Sequence, residues 1–145
     1  MKIHRQFTVH RTPEDLYRFW RQMQNLAPLA PGDTVVTEKD QRTSHWVARG
    51  PGGREFAWDA RITVDEPGRE IAWQSEPGGD VKNSGSVRFE IVADRETRIS
   101  LDLEFTPPAG LAGKLAAFLV HQHIESEIDA GLDRVKQRLR TNASP

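Results

Sequence analysis

The feature that most constrains this chain is a long block of two-residue alternation that ends in a hard stop. "REFAWDARITV" puts Phe56, Trp58, Ala60, Ile62 and Val64 on one side, and Glu55, Asp59, Arg61 and Thr63 on the other. "SGSVRFEIVA" does the same with Gly85, Val87, Phe89 and Ile91, and "RISLDLEF" with Ile99, Leu101, Leu103 and Phe105. "DTVVTEKD", "SHWVARG" and "REIAWQS" read as further strands, and the turns "KDQRT", "GPGG", "DEPG", "EPGGDVKN" and "DRET" separate the set. Pro107 and Pro108 then stop the last strand, because neither fits a sheet interior or a helix interior. From Leu111 to about Arg140 the pattern predicts one helix, about 45 Å long at 1.5 Å per residue. An antiparallel sheet with one apolar face needs a cover, and this helix is the only element large enough. The expected class is α+β.

The N-terminal third completes the frame. "KIHRQFTVH" alternates Ile3, Phe7 and Val9 against His4, Gln6, Thr8 and His10, with Arg5 on the apolar side. Thr12 caps a following helix, Pro13 opens it, and Glu14 and Asp15 sit at the positive end of its dipole. Leu16, Phe19, Trp20 and Met23 recur at helical spacing, and Pro28, Pro31 and Gly32 break the pattern. In the long helix, Leu111, Leu115, Phe118 and Leu119 form one apolar patch. Val120, Ile124, Ile128, Leu132, Val135 and Leu139 form a second, so a bend is expected near His121, with Gly131 as a further weak point.

Composition narrows the function classes. A chain of 145 residues suits one domain spanning 1–145. With no Cys, disulfides, thiolate chemistry and cysteine-ligated metals are excluded. Lys+Arg 20 against Asp+Glu 21 gives a net charge of −1, which offers no broad attraction to nucleic acid or anionic lipid. "RVKQRLR" alternates with apolar residues and reads as a solvated helix face. "MKIHRQFTVHRTP" has no apolar core of a signal peptide, and "LAAFLV" is far short of the roughly 20 residues of a membrane span. A soluble, cytoplasmic protein is expected, as a monomer or homodimer.

The element order, with "HWVARGPGGREFAWDARI", "EPGREIAWQS", "GSVRFEI" and "EFTPPAGLAGKL", resembles the START / polyketide cyclase–dehydrase (SRPBCC, helix-grip) superfamily, and within it the bacterial cyclase/dehydrase-like group. The matching positions are Trp46, Gly50, Pro51 and Gly53, then Trp58 to Ala60, Ile71 to Trp73, and Pro107, Pro108 and Gly110. The resemblance covers about residues 2 to 140 and implies a curled sheet of about seven strands gripping the C-terminal helix, with short helices after the first strand. It also implies a cavity between sheet and helix that holds a hydrophobic molecule. It does not imply one activity, since the superfamily spans lipid carriers, hormone receptors, quinone-binding proteins, aromatase/cyclases and co-chaperones.

Alternation nominates the cavity wall. Trp58, Trp73, Phe89, Leu101, Leu103 and Phe105 point inward, facing Leu115, Phe118 and Leu119, and Trp46 joins them although "HWVARG" does not alternate clearly. An inward Trp serves as packed core or as pocket wall, and alternation does not separate the two. Large aromatics give a ligand contact area, and each indole N–H is a donor. Arg5, His45, Arg49 and Ser75 are the candidate polar groups of the cavity.

Catalytic signals are sparse. Asp59, Arg61, Asp102 and Glu104 fall on the outward phase and read as solvated cross-strand pairs. In "HQHIESE", His121 with Glu125 and His123 with Glu127 are i,i+4 pairs on different helix faces, so they close no single metal site. "GPGGRE" joins strands and lacks the Lys-Ser/Thr of a phosphate loop, and "NSGSV" lacks the spacing of a nucleophile elbow. No cofactor or metal is expected. Three readings stand: a binder of a small hydrophobic, aromatic, polyketide-like or lipid-like molecule; a cyclase or dehydratase acting on a carbonyl substrate, with His45 and an Arg as its groups; and a co-chaperone-like interaction module.

Overall fold

The computed structural model describes residues 1–29, 33–49, 53, 55–106 and 114–141, with the side chains of 114–123 and 141 outside that set. The strands are β1 (Lys2–Val9), β2 (Asp33–Glu38), β3 (Thr43–Arg49), β4 (Glu55–Glu66), β5 (Glu70–Ser75), β6 (Lys82–Ala93) and β7 (Glu96–Thr106). The helices are α1 (Pro13–Arg21), a 3-10 segment (Met23–Leu29) and α2 (Lys114–Thr141). All strand pairs are antiparallel, in the order β1-β7-β6-β5-β4-β3-β2. Hairpins explain every neighbour except β1 and β7, where the last strand returns to the first. β1 and β2 are therefore the sheet edges. This is the helix-grip arrangement, with the sheet curled about α2.

Local chemistry sets the element ends. Thr12 Oγ1 accepts from the Asp15 N–H at 3.2 Å, Pro13 opens α1, and Leu16 and Trp20 face the core. The segment after α1 is not a plain loop. It coils as a 3-10 helix that contains Pro28 and buries Met23, Leu26 and Leu29. The 3-10 pattern survives a proline because each short turn needs few N–H donors.

The core lies between the concave face of the sheet and the helices. Ile62, Ile71, Val87, Ile99 and Leu101 are buried from the sheet, and Leu132, Val135 and Leu139 from α2. Each such side chain contributes roughly 1.5–3 kcal/mol of hydrophobic stabilisation. β3 alternates cleanly, with Ser44, Trp46 and Ala48 inward and His45, Val47 and Arg49 outward. Ile91, expected inward, is 60% exposed and lies at the end of the β6–β7 ladder, where the register shifts between Ile91 and Ala93.

Gly131 proves to be a contact rather than a break. α2 is helical without interruption across it, and a Cβ there would overlap the carbonyl of Pro28. The glycine lets α2 lie directly against the 3-10 segment. Ile124, Ile128, Leu132, Val135 and Leu139 form the buried stripe. The expected patch at Leu115, Phe118 and Leu119 falls on side chains outside the described set, as do His121 and His123, and Leu111 lies beyond the described residues.

Candidate functional site

The concave face has two ends with different fillings. At one end Trp20 reaches down from α1 and stacks on Phe89, with centroids 5.7 Å apart and planes 19° from parallel. Phe19 meets Trp20 edge-on at 5.6 Å. Phe89 and Leu101 belong to the core cluster at that end and are not among the lining residues of the pocket, for which alternation nominates them.

At the other end a pocket opens between sheet and α2. Its floor carries Trp46, Trp58 and Trp73 from β3, β4 and β5. Leu103 and Phe105 of β7 and Ile3 of β1 form one side. Leu26 and Leu29 of the 3-10 segment and Ile124 and Ile128 of α2 close over it. Asn83, Ser84 and Glu104 complete the described lining. The cavity volume is about 50 Å³.

Register explains how the tryptophans sit. Trp46 and Trp58 are direct cross-strand partners, and their rings stack at 5.9 Å, 18° from parallel. The Trp46 indole N–H donates to Ser44 Oγ at 2.8 Å, so it is already satisfied within the wall. Trp73 pairs across the ladder with Gly85, and its indole lies over that residue. A Cβ at Gly85 would come 2.7 Å from Trp73 Cε2 and 2.9 Å from Leu103 Cδ2. The missing side chain is what lets the indole lie down.

The polar candidates are placed elsewhere. His45 is on the convex face, with Nδ1 2.7 Å from Asp59 Oδ1, and Lys39 Nζ is 3.0 Å from the same carboxylate. The hydrogen bonds from His45 and then Lys39 hold Asp59 below the usual carboxylate range. Arg49 is exposed and pairs with Glu55 at 3.2 Å. Ser75 is buried, and its Oγ accepts the backbone N–H of Asn83 at 3.0 Å. Arg5 does point to the helix side, but it is committed there: Nε meets Asp129 Oδ1 at 2.7 Å and Nη2 meets Glu125 at 3.3 Å. The bond to Arg5 outweighs burial and lowers the Asp129 pKa. Arg5 thus ties the edge strand β1 to α2. A second part-buried cluster joins α1 to β4, where Tyr17 and Arg21 both donate to Asp65. Burial pushes Asp65 up, yet the bonds from Tyr17 and Arg21 prevail and its pKa is lowered.

Asp102 pairs with His4 at 2.7 Å on the outer face, and Arg61 lies 3.6 Å from Glu76. Glu104 is the one ionisable group among the described lining residues, and it sits on the solvent phase of β7. Sequence reasoning missed Ile3, Leu26, Leu29, Asn83, Ile124 and Ile128 as lining. Asn83 had a signal, since it shares the inward phase of Gly85 and Val87.

A profile of the family described as polyketide cyclase / dehydrase and lipid transport matches residues 1–140. The chain belongs to this family. A Deinococcus radiodurans protein of known structure is 27% identical, covering 94% of this chain and 95% of its own, at a TM-score of 0.72. A Thermus thermophilus protein is 21% identical over 99% of this chain and 100% of its own, at 0.76. The ZhuI aromatase/cyclase of Streptomyces sp. R1128 shares the fold at 17% identity, covering 100% of this chain and 99% of its own, at 0.67. An uncharacterised 17.2 kDa protein of Streptomyces lincolnensis is 29% identical over 92 residues, and the match spans 63% of this chain and 59% of that relative's length. No helix among the described residues is long and apolar enough to cross a membrane.

Proposed function

We propose that the chain binds a small hydrophobic molecule, aromatic in part, in the pocket between the sheet and α2. The observation that carries this reading is a floor of three tryptophans under aliphatic walls, with no ionisable side chain on the inward phase of the described lining. Flat indoles offer area to a ring or fused-ring ligand. The family's description, which joins polyketide cyclisation with lipid transport, supports an apolar ligand.

A cyclase or dehydratase needs a proton shuttle and an enolate stabiliser at the substrate. His45 and Arg49 lie outside the pocket and Arg5 is bound by two carboxylates, so binding is the better-supported activity. An interaction module needs a continuous exposed apolar patch. The exposed large apolar residues among those described are Val35 on β2 and Ile91 and Val92 on β6, strands with three others between them.

Pockets for drug-sized ligands have volumes of roughly 300–1,000 Å³. The present room is about 50 Å³, so a two-ring ligand enters as the half-buried Leu103 and Phe105 and the cover of α2 yield. Nuclear magnetic resonance of the four indole N–H signals tests this directly. On titration with 2-methylnaphthalene the signals of Trp46, Trp58 and Trp73 should shift while that of Trp20 stays. Shifts absent up to the solubility limit, or confined to Trp20, would sink the proposal.

A further inference from the structure

Asn83 interrupts an otherwise apolar inward wall. It stands near the start of β6, in phase with Gly85 and Val87, and it lines the pocket. Its position is fixed, because its backbone N–H donates to the buried Ser75 at the end of β5. Its side-chain Oδ1 is closed off both from solvent and from the present opening of the pocket, and it finds no hydrogen-bond partner among the described residues, so a ligand reaches it only as the pocket opens. A buried acceptor without a donor is costly, and a leucine of similar size would carry no such cost. A pocket that keeps an amide oxygen in this position is suited to a ligand that brings the donor.

We infer that Asn83 is the polar anchor of the pocket and accepts a hydrogen bond from a hydroxyl, phenolic or enolic, on an aromatic ligand lying over the tryptophans. This rests on the hydrophobic-ligand reading and narrows it. The ligand class is a neutral hydroxylated ring system. An anion is disfavoured, since the described lining holds no cation, and Glu104 places a carboxylate at the rim. Aromatic hydrocarbons fill the same space but leave Oδ1 unpaired. A site built to bond a hydroxyl rejects the analogue that lacks it more strongly than it rejects a change in shape.

The matched pair 2-naphthol and 2-methylnaphthalene tests the inference, since hydroxyl and methyl are close in size. Dissociation constants come from the indole signals of Trp58 and Trp73 at pH 7, where the naphthol is neutral. The native chain is expected to prefer 2-naphthol about tenfold. Asn83→Leu is expected to lose that preference and to bind 2-methylnaphthalene at least as well as the native chain. If that variant fails to fold, Asn83→Ala reads the same loss. Equal binding of the two probes by the native chain overturns the anchor and leaves the broader reading standing. A preference that persists in the variant also overturns the anchor. Failure of both probes to bind the native chain overturns the anchor and the hydrophobic-ligand reading together.

Discussion

Gly131→Ala sets two physical effects against each other within one methyl group. Inside a helix, alanine is favoured over glycine by about 0.8–1.0 kcal/mol, so propensity alone predicts a more stable protein. The packing of α2 predicts the reverse. The new Cβ would overlap the Pro28 carbonyl oxygen and stand 2.7 Å from its carbon. Carbon atoms rest about 3.5–4.0 Å apart and the carbonyl oxygen lies closer still, so the two backbones must separate by more than about 1 Å. No flexible side-chain end absorbs the shift, because both groups are main chain. Overpacking costs about 1–3 kcal/mol, and here the contacts of Leu26, Leu29 and Leu132 loosen with it. After the gain in propensity, the net loss is about 1 kcal/mol, or roughly 2–4 °C in melting temperature for a chain of this size. Thermal unfolding by circular dichroism, with Ser126→Ala on the exposed side of the same helix as the propensity control, measures it. A Gly131→Ala protein that melts at or above the native temperature refutes the argument that close approach, not helix weakness, explains this glycine.

Gly85→Ala should cost about 1–3 kcal/mol in urea unfolding, and much less in a Trp73→Leu background; equal costs in both backgrounds would show that the indole does not depend on the glycine. Asp65→Asn should cost about 1–2 kcal/mol at pH 7, since two donors lose a charged acceptor that is 21% exposed. Asp65 has a lowered folded-state pKa, so its contribution is present above the unfolded value of about 3.9 and is lost as pH falls through the folded value. Native and variant stabilities should therefore converge as pH falls below that unfolded value, and a gap that stays constant on acidification contradicts the linkage. Arg95 holds φ 54 in the β6–β7 turn, a left-handed position that costs a residue with a Cβ about 1–2 kcal/mol. Arg95→Gly should raise stability by about 0.5 kcal/mol once the looser unfolded chain offsets part of the relief, and a lower melting temperature counts against strain at that turn.

Alternation made the sheet readable, because a period of two fixes the face of every residue in a strand once one is known. It made Trp58, Trp73, Leu103 and Phe105 identifiable as concave-face residues, whereas Trp46 sits in "HWVARG", which does not alternate clearly as a sequence. It left open where along the strand each one lies relative to the helices, and that coordinate separates pocket from core. Phe89 and Leu101 share the face of Leu103 yet sit at the filled end. Leu26 and Leu29 escaped notice because two prolines and a glycine disguise the segment that carries them as a loop. Asn83 escaped because a single polar residue at the start of a strand resembles a turn residue.

The two ends of the concave face differ in what the helices send down to it. α1 delivers Trp20, which is 1% exposed and stacks on Phe89 ring on ring. Above Trp58 and Trp73 the 3-10 segment and α2 present Leu26, Leu29, Ile124 and Ile128, aliphatic chains that cover the indoles without stacking on them. An indole face prefers a flat partner, and Trp46 and Trp58 supply each other with one. Trp73 lies over Gly85 on one side, and it lines the same pocket as Asn83, whose amide oxygen finds no partner among the described residues. On the proposed reading, a flat ring with one hydroxyl is the ligand that would meet both.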